Sequence, residues 1–226
     1  MKMIGLLKKI AQVCLILGVT GMAGNLRADT NLVNVTFLGG YIAYGSYYVG
    51  PYNFILNNTV KGQQNTALVC MNFTNEIYGG ETWQATVSTF DNISLTRNPT
   101  QLSDYEEVGW LYNYGVANPS QWGPVNYAIW SIFAPNQTRA DGGWSQSAAN
   151  LLTQAQNQTF TSGEFANLAI LTPTTSGPQE FIGTISGYTQ QNPGAPAATP
   201  EPGTLALAGI GALIFGKKLI RRTANA

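Results

Sequence analysis

Apolar and polar residues alternate along the first half of the central part of the chain. The alternating stretches are residues 31–37, 52–56 and 81–90, and an aromatic, glycine-punctuated stretch covers residues 41–49. A further run, residues 66–73, contains the continuous apolar segment Ala67-Leu68-Val69-Cys70-Met71, which is typical of a buried strand. Because glycine, proline and asparagine separate these stretches, the pattern predicts a series of β-strands.

The hydrophobic period then changes to that of a helix. Ser103 to Glu106 forms a capping-box sequence, which predicts a helix from Ser103 as N-cap to about Tyr114, ended by Gly115. A second helix is predicted to begin near Pro124 and to end at Pro135, and a third to cover residues 144–156.

Strands are predicted again at residues 168–171 and 180–185. The expected fold class is therefore mainly β with a helical insertion (α+β), a β-sandwich or barrel interrupted by helices at about residues 103–158. This domain covers residues 29–189, and residues 190–199, rich in Pro, Ala and Gly, are predicted to be a spacer.

The first 28 residues have the pattern of a secretory signal peptide. Lys2, Lys8 and Lys9 precede an apolar stretch at residues 10–19, and small residues follow. Cleavage by signal peptidase is expected after Ala23 or after Ala28, following export through the Sec translocon. The alternative, an N-terminal membrane helix, is disfavoured because the apolar stretch is too short.

The last 27 residues combine a rigid acidic tripeptide, an apolar segment and a basic end. Pro200, Glu201 and Pro202 form the tripeptide, and no charged residue lies between Gly203 and Gly216. The basic residues that follow are Lys217, Lys218, Arg221 and Arg222. The segment 203–220 is predicted to be a short transmembrane helix, whose basic end stays on the cytoplasmic side.

These three parts, in this order over residues 200–226, resemble the PEP-CTERM sorting signal of Gram-negative bacteria. The resemblance implies recognition and cleavage by exosortase. It also implies an inner-membrane-anchored precursor that later reaches the cell surface or extracellular matrix, in association with exopolysaccharide and biofilm. The alternative is a plain C-terminal anchor in which the Pro-Glu-Pro tripeptide occurs by chance.

The formal net charge of zero hides an acidic central domain. Between residues 29 and 199 only Lys61, Arg97 and Arg139 are basic, against ten acidic residues. This balance argues against nucleic acid as a partner. The chain has no histidine, and therefore lacks the usual general base and the commonest transition-metal ligand. We expect no enzymatic activity, no cofactor and no metal site.

Cys70 is the only cysteine that remains after removal of the signal peptide, so it cannot close an internal disulfide. From the residues alone, it is a core cysteine that behaves as a small apolar side chain.

An alternative function of the domain is that of a carbohydrate-binding module that uses exposed aromatic residues. We expect at most one or two of the five tryptophans to be exposed.

Four segments resemble the thioester-domain family of bacterial surface proteins. They are Cys70-Met71-Asn72-Phe73, Tyr105 to Leu111, Val125 to Trp130, and Leu171 to Pro173 together with Gln179-Glu180-Phe181. The resemblance implies a β-sandwich or barrel with a helical insertion, and an internal thioester between a strand cysteine and a glutamine. Cys70 is the corresponding thiol, and Asn126 stands in the position of the glutamine. It also implies a covalent adhesin as an alternative function.

Overall fold

The computed structural model describes residues 31–58 and 62–186. The strands are β1 (Leu32–Gly39), β2 (Ile42–Tyr44), β3 (Tyr47–Val49), β4 (Tyr52–Asn58), β5 (Gly62–Cys70), β6 (Thr82–Ser88), β7 (Leu168–Pro173) and β8 (Phe181–Thr184). The helices are α1 (Leu102–Ala117), α2 (Trp122–Phe133), α3 (Pro135–Ala140) and α4 (Gln146–Gln156), with a 3-10 turn at Pro119–Gln121.

Six of these strands close into an antiparallel barrel in the order β1-β4-β5-β8-β7-β6, with β6 pairing back onto β1. The alternation seen in the sequence explains the inside and the outside of the barrel. On β1, Val33, Val35 and Phe37 are buried, and on β6, Trp83 and Ala85 are buried. The prediction of a mainly β domain with a helical insertion is confirmed, and of the two architectures expected, the barrel is the one formed.

The pairing of β5 with β8 fixes the end of β5. Cys70 lies opposite Phe181, and the backbone N–H of Met71 donates to the carbonyl of Glu180 at 2.9 Å. The strand that carries Cys70 begins earlier than predicted, at Gly62, and ends at Cys70 rather than Phe73. Residues 71–73 therefore leave the barrel at the edge that faces the helices.

The aromatic stretch 41–49 forms a small hairpin outside the barrel. Its strands β2 and β3 pair antiparallel, with Tyr44 opposite Tyr47. Gly45, at the turn between them, has a φ of +61°, a conformation that glycine adopts without strain. The hairpin contacts α2, because the ring of Tyr44 lies 5.7 Å from that of Tyr127.

Helix α2 is the centre of the helical layer. It packs against α1, α4, β5 and the hairpin strands, and its residues 122–131 are all buried. A helix that is apolar around most of its circumference is stable only when it is enclosed on all sides. The polar side chain of Asn126 is thereby held in the interior.

Two details of the predicted helices are wrong. The N-cap of α1 is Gln101, no side chain caps this terminus, and Ser103 lies inside the first turn. Gly115 lies within α1 instead of ending it. A Cβ atom at residue 115 would lie 2.4 Å from the ring of Trp122, so close packing and not chain reversal requires this glycine.

The remaining helix boundaries differ less from the predictions. Helix α2 begins at Trp122, two residues before Pro124, and the additional short helix α3 begins at Pro135. Helix α4 begins at Gln146, because the Ser145 hydroxyl caps it by accepting from the N–H of Ala148 at 3.2 Å.

The signal peptide, the spacer and the sorting tail predicted from the sequence lie outside the described residues. Of the helices in residues 31–58 and 62–186, none is both long enough and apolar enough to span a membrane.

The tight contact at Gly115 gives a stability prediction. In Gly115→Ala, the added methyl group must displace the Trp122 ring, and we expect the free energy of unfolding to fall by about 1–3 kcal/mol. This loss outweighs the gain of about 1 kcal/mol that alanine brings to an unhindered helix. Denaturant titration of the purified wild type and variant measures the net change in the free energy of unfolding.

The matched control is Gly142→Ala, because nothing lies within 4 Å of a Cβ atom at residue 142. It should change stability by no more than about 0.5 kcal/mol. Equal stability of the two variants would contradict the assigned packing of Trp122.

Candidate functional site

The Cys70 thiol is fully buried at the end of β5. Its sulfur donates to the carbonyl of Asn72 at 3.0 Å and accepts from the N–H of the same residue at 3.3 Å. The turn after β5 is thereby folded around the sulfur, and the predicted burial of this cysteine is confirmed.

Burial raises the pKa of the Cys70 thiol to about 12, although the backbone of Asn72, the side chain of Trp130 and the charge of Arg97 each lower it. The indole N–H of Trp130 is close enough to the sulfur to lower this pKa. Among the described residues, however, it makes no regular hydrogen bond. At neutral pH the group is a protonated thiol, which is a poor nucleophile in the resting domain.

The Asn126 carboxamide lies on the helix that covers this strand end. Its Oδ1 accepts from the backbone N–H of Gly50 at 2.7 Å, whereas within the described part of the chain its Nδ2 has no hydrogen-bond partner. Asn126 and Trp130 are four residues apart on α2, so they share one face of that helix. Asn126 therefore lies on the same face of α2 as Trp130, which is the residue of this helix that influences the Cys70 thiol.

A buried carboxylate lies beyond Cys70. Glu180 accepts from the Tyr105 hydroxyl at 2.9 Å, from the Thr172 hydroxyl at 2.5 Å and from the backbone N–H of Arg97 at 3.0 Å. Its own N–H donates to Oδ1 of Asn72 at 2.6 Å. Three donors offset the cost of burying this charge, and Asn72 links the carboxylate to the turn that holds the Cys70 sulfur.

An open cleft of about 450 Å³, the tyrosine cleft, lies on the solvent side of Cys70 and Glu180. Its walls include the exposed side chains of Tyr41, Tyr47, Tyr48 and Tyr78, and Asn72, Phe73 and Trp130 also line it. Two of these lining residues, Asn72 and Trp130, are the neighbours of the Cys70 sulfur. The cleft therefore leads from solvent towards Cys70.

Trp130 and Glu180 both lie in segments that resemble the thioester-domain family, but the sequence did not indicate that they lie near one cleft lined by exposed tyrosines. A glutamate directly before the apolar residues Phe181 and Ile182 was the available indication of a buried carboxylate. Among the tryptophans, all of which the structure describes, none is exposed, as expected; the exposed rings belong to tyrosines. The sorting tripeptide and the basic end lie outside the described residues.

Residues 198–222 match the profile of the PEP-CTERM protein-sorting motif. The chain is thus a PEP-CTERM-sorted, exported surface protein. The match includes the Pro200–Pro202 tripeptide and the basic residues as far as Arg222. The predicted resemblance of the C-terminal residues to this sorting signal is therefore confirmed. The motif implies Sec export, a C-terminal membrane anchor before processing by exosortase, and a final location at the cell surface.

The solved structures to which the chain is similar include two domains of bacterial surface proteins. One is the N-terminal thioester domain of a surface protein from Clostridium perfringens, 14% identical over 68% of this chain and 98% of that chain, with a TM-score of 0.43. The other is the N-terminal domain of the Streptococcus pyogenes pilus tip adhesin Cpa, 15% identical over 70% of this chain and 94% of that chain, with a TM-score of 0.37. A comparison with curated proteins gives no match.

The raised pKa of Cys70 predicts a pH dependence of stability. Below pH 9.0, the ordinary value for this thiol, both the folded and the unfolded chain keep the proton. Between pH 9.0 and about 12 the unfolded chain releases it and the folded chain retains it, so the free energy of unfolding falls. The slope from this group approaches about 1.4 kcal/mol per pH unit.

Tyrosines that unfolding exposes also titrate in this range, because burial raises the pKa of Tyr52 and Tyr105 above the ordinary value of 10.0 in the folded chain. Wild type should therefore be compared with Cys70→Ala. We expect the wild-type free energy of unfolding to fall more steeply than that of the variant above pH 9.0. Parallel curves from urea titrations across this range would mean that folding does not raise the pKa of Cys70, and would contradict the prediction.

Proposed function

We propose that this exported protein is a non-enzymatic component of the cell surface or extracellular matrix, associated with exopolysaccharide and biofilm. The PEP-CTERM match at residues 198–222 carries the proposal, because it directs the folded domain to the outside of the cell. The composition of the domain supports it: with few charges and many Asn, Gln, Thr, Ser and Tyr residues, it is suited to neutral hydrogen bonding with hydrated polymers.

Matrix association is tested by extracting washed cells before and after enzymatic removal of their extracellular polysaccharide. The protein should remain with intact matrix and be released when the polysaccharide is degraded. Protein that stays attached after the matrix has been removed, or that is never held by it, would overturn this part of the proposal.

Sorting itself depends on the rigid acidic tripeptide. Replacement of Pro200, Glu201 and Pro202 by alanine removes the extended segment that exosortase is expected to recognise, and leaves the apolar anchor intact. We expect an uncleaved chain in the inner membrane, measured by fractionation and intact-protein mass. A shortened chain at the surface, as for wild type, would show that the tripeptide is not required.

A second candidate function is that of a covalent adhesin with a Cys70–Asn126 thioester. It is favoured by the Asn126 amide, whose Oδ1 is polarised by the Gly50 N–H and whose Nδ2 has no partner among the described residues. The Cys70 thiol gives up its proton as the sulfur attacks the amide carbon, a C–S bond forms, and the C–N bond breaks. The nitrogen leaves as ammonia with the proton of the thiol. The stored acyl group then transfers to an amine of the target surface, which regenerates the thiol.

The mass of the intact protein tests this second function. A thioester lowers the mass by that of one ammonia, relative to the chain with a free thiol, and Cys70→Ala abolishes the loss. We also expect Asn126→Gln, which moves the amide one methylene further along its side chain, to increase the fraction that has lost ammonia. If wild type and Asn126→Gln both keep the full mass, this candidate is wrong.

Hydrolysis of the side-chain amide to a carboxylate is distinguished by the mass it leaves, because water then replaces ammonia. A thioester is also consumed by methylamine, which adds to the chain and frees one thiol, whereas a carboxylate does not react. Met71→Ala provides a matched control for the loss of a buried side chain beside Cys70, since Met71 is equally buried.

A further inference from the structure

The tyrosine cleft is an open site that no motif of the chain explains. Its volume of about 450 Å³ lies within the range of about 300–1,000 Å³ that is usual for ligand pockets. Its loops are held together: Asn75 donates to the carbonyl of Gly177 at 2.7 Å, and the Gln179 side chain donates to the carbonyl of Asn75. The cleft is thus formed before a ligand arrives.

The side chains at its mouth are unusually exposed aromatic rings. Tyr41, Tyr47, Tyr48 and Tyr78 are 52%, 38%, 58% and 68% exposed. The rings of Tyr41 and Tyr48 support each other at 3.9 Å, and Tyr47 lies 5.0 Å from Phe73. Rings that are held in place yet open to solvent lose little conformational entropy when a ligand packs on them.

The charge of the cleft selects among ligands. Glu76 lines it and is exposed, and within the described residues no lysine or arginine does so. The Tyr78 hydroxyl donates to Glu76 at 2.9 Å, which places this carboxylate beside an exposed ring. An ammonium group is attracted both to a carboxylate and to the face of an aromatic ring, whereas a polyanion finds no opposite charge here.

The electrostatic field of the whole domain is negative, like that of the cleft. Residues 31–58 and 62–186 contain nine acidic side chains and two basic ones, Arg97 and Arg139. Arg97 is engaged, because its guanidinium donates to the carbonyl of Pro178, and Arg139 lies over the Trp144 ring at 5.7 Å. Such a domain attracts cationic polymers and repels anionic ones.

We propose that the tyrosine cleft binds a polysaccharide whose sugars carry free amino groups. The apolar face of a sugar ring packs on the exposed tyrosines, and its ammonium group lies between Glu76 and the ring of Tyr78. This inference rests on the proposed matrix association and deepens it by naming the site and the chemical class of the polymer.

The test measures binding of chitosan oligosaccharides, which carry free amines, to the full-length protein purified in mild detergent. Fully N-acetylated oligosaccharides of equal length and an oligo-uronate serve as the neutral and anionic probes. We expect chitosan to bind most tightly, the acetylated probe more weakly, and the uronate not at all. Added salt should weaken binding of the amine-bearing probe, because its electrostatic part is screened.

The variants then locate the site. Tyr48→Ala and Tyr78→Ala should each weaken chitosan binding by about tenfold, the change expected when a contact aromatic is truncated. Glu76→Gln keeps the size of the side chain and removes its charge, so it should weaken binding of chitosan and leave that of the acetylated probe unchanged. Val116→Ala, a 56% exposed residue of α1 outside the cleft, is the matched control.

Two further measurements distinguish sugar recognition from capture by the thiol and from attraction between charges alone. Chitosan bound to the wild-type protein should be released on dilution and leave the mass of the chain unchanged, because the proposed contact is non-covalent and does not use the thiol. A lysine pentapeptide should bind more weakly than chitosan; equal binding would mean that the cleft recognises positive charge alone, and would overturn the proposal. The circular dichroism of each variant shows whether its fold is kept.

The proposal is also overturned if the cleft variants bind chitosan as Val116→Ala does, or if the uronate binds as tightly as chitosan. In that case, matrix association in cells can still hold through another surface. Conversely, chitosan binding that depends on the cleft, in a protein that is not retained by the matrix of its own cells, refutes the proposed function and keeps this assignment of the site.

Discussion

The enclosure of helix α2 is the constraint on which the rest of the domain depends. This helix has hardly any polar surface, so it must be covered by α1, α4, the small hairpin and the end of β5. The covering elements bring Trp130 to Cys70 and the Gly50 N–H to Asn126. Gly115 and Gly123 allow the close approaches, because a Cβ atom at either position would lie well inside contact distance of Trp122 or Tyr44. The buried site and the barrel are therefore parts of one packing arrangement.

The second organising element is the chain of polar contacts from Glu180 through Asn72 to the Cys70 sulfur. It joins the barrel, the turn after β5 and helix α1, since Glu180 also accepts from the Tyr105 hydroxyl. A charged group of this kind is costly to bury unless all of its partners are present. It consequently favours one arrangement of the loop that forms the inner wall of the tyrosine cleft.

The sequence predicted what depends on local periodicity. The period of two identified the strands, and the continuous apolar run around Cys70 identified its burial. Closure of the barrel was not predictable, because the pairing of β5 with β8 joins distant segments. The capping box at Ser103 failed because Gln101, two residues earlier, already ends the preceding turn and its carbonyl accepts from the N–H groups of Asp104 and Tyr105. Gly115 was misassigned because a glycine is required either by chain reversal or by a close neighbour, and only the fold distinguishes the two.

The candidate site was predictable only in part, for the same reason. The positions of Cys70 and Asn126 came from short motifs, but the three donors to the Glu180 carboxylate lie in separate parts of the chain, at Arg97, Tyr105 and Thr172. The composition includes eleven tyrosines, and nothing in it distinguishes the rings that line the cleft from Tyr105 and Tyr127, which are buried.

The contact between Asn72 and Glu180 also has a consequence for the order of folding. These residues are 108 positions apart, and the strand that follows Glu180, β8, pairs with β5 at Cys70. Contacts between such distant residues form late, because a long loop must close before they are made. During export the thiol is therefore accessible to oxidants and thiol reagents until β8 joins the barrel. An exported domain with an unmodified cysteine therefore requires that β8 pairs with β5 before a thiol reagent reaches Cys70.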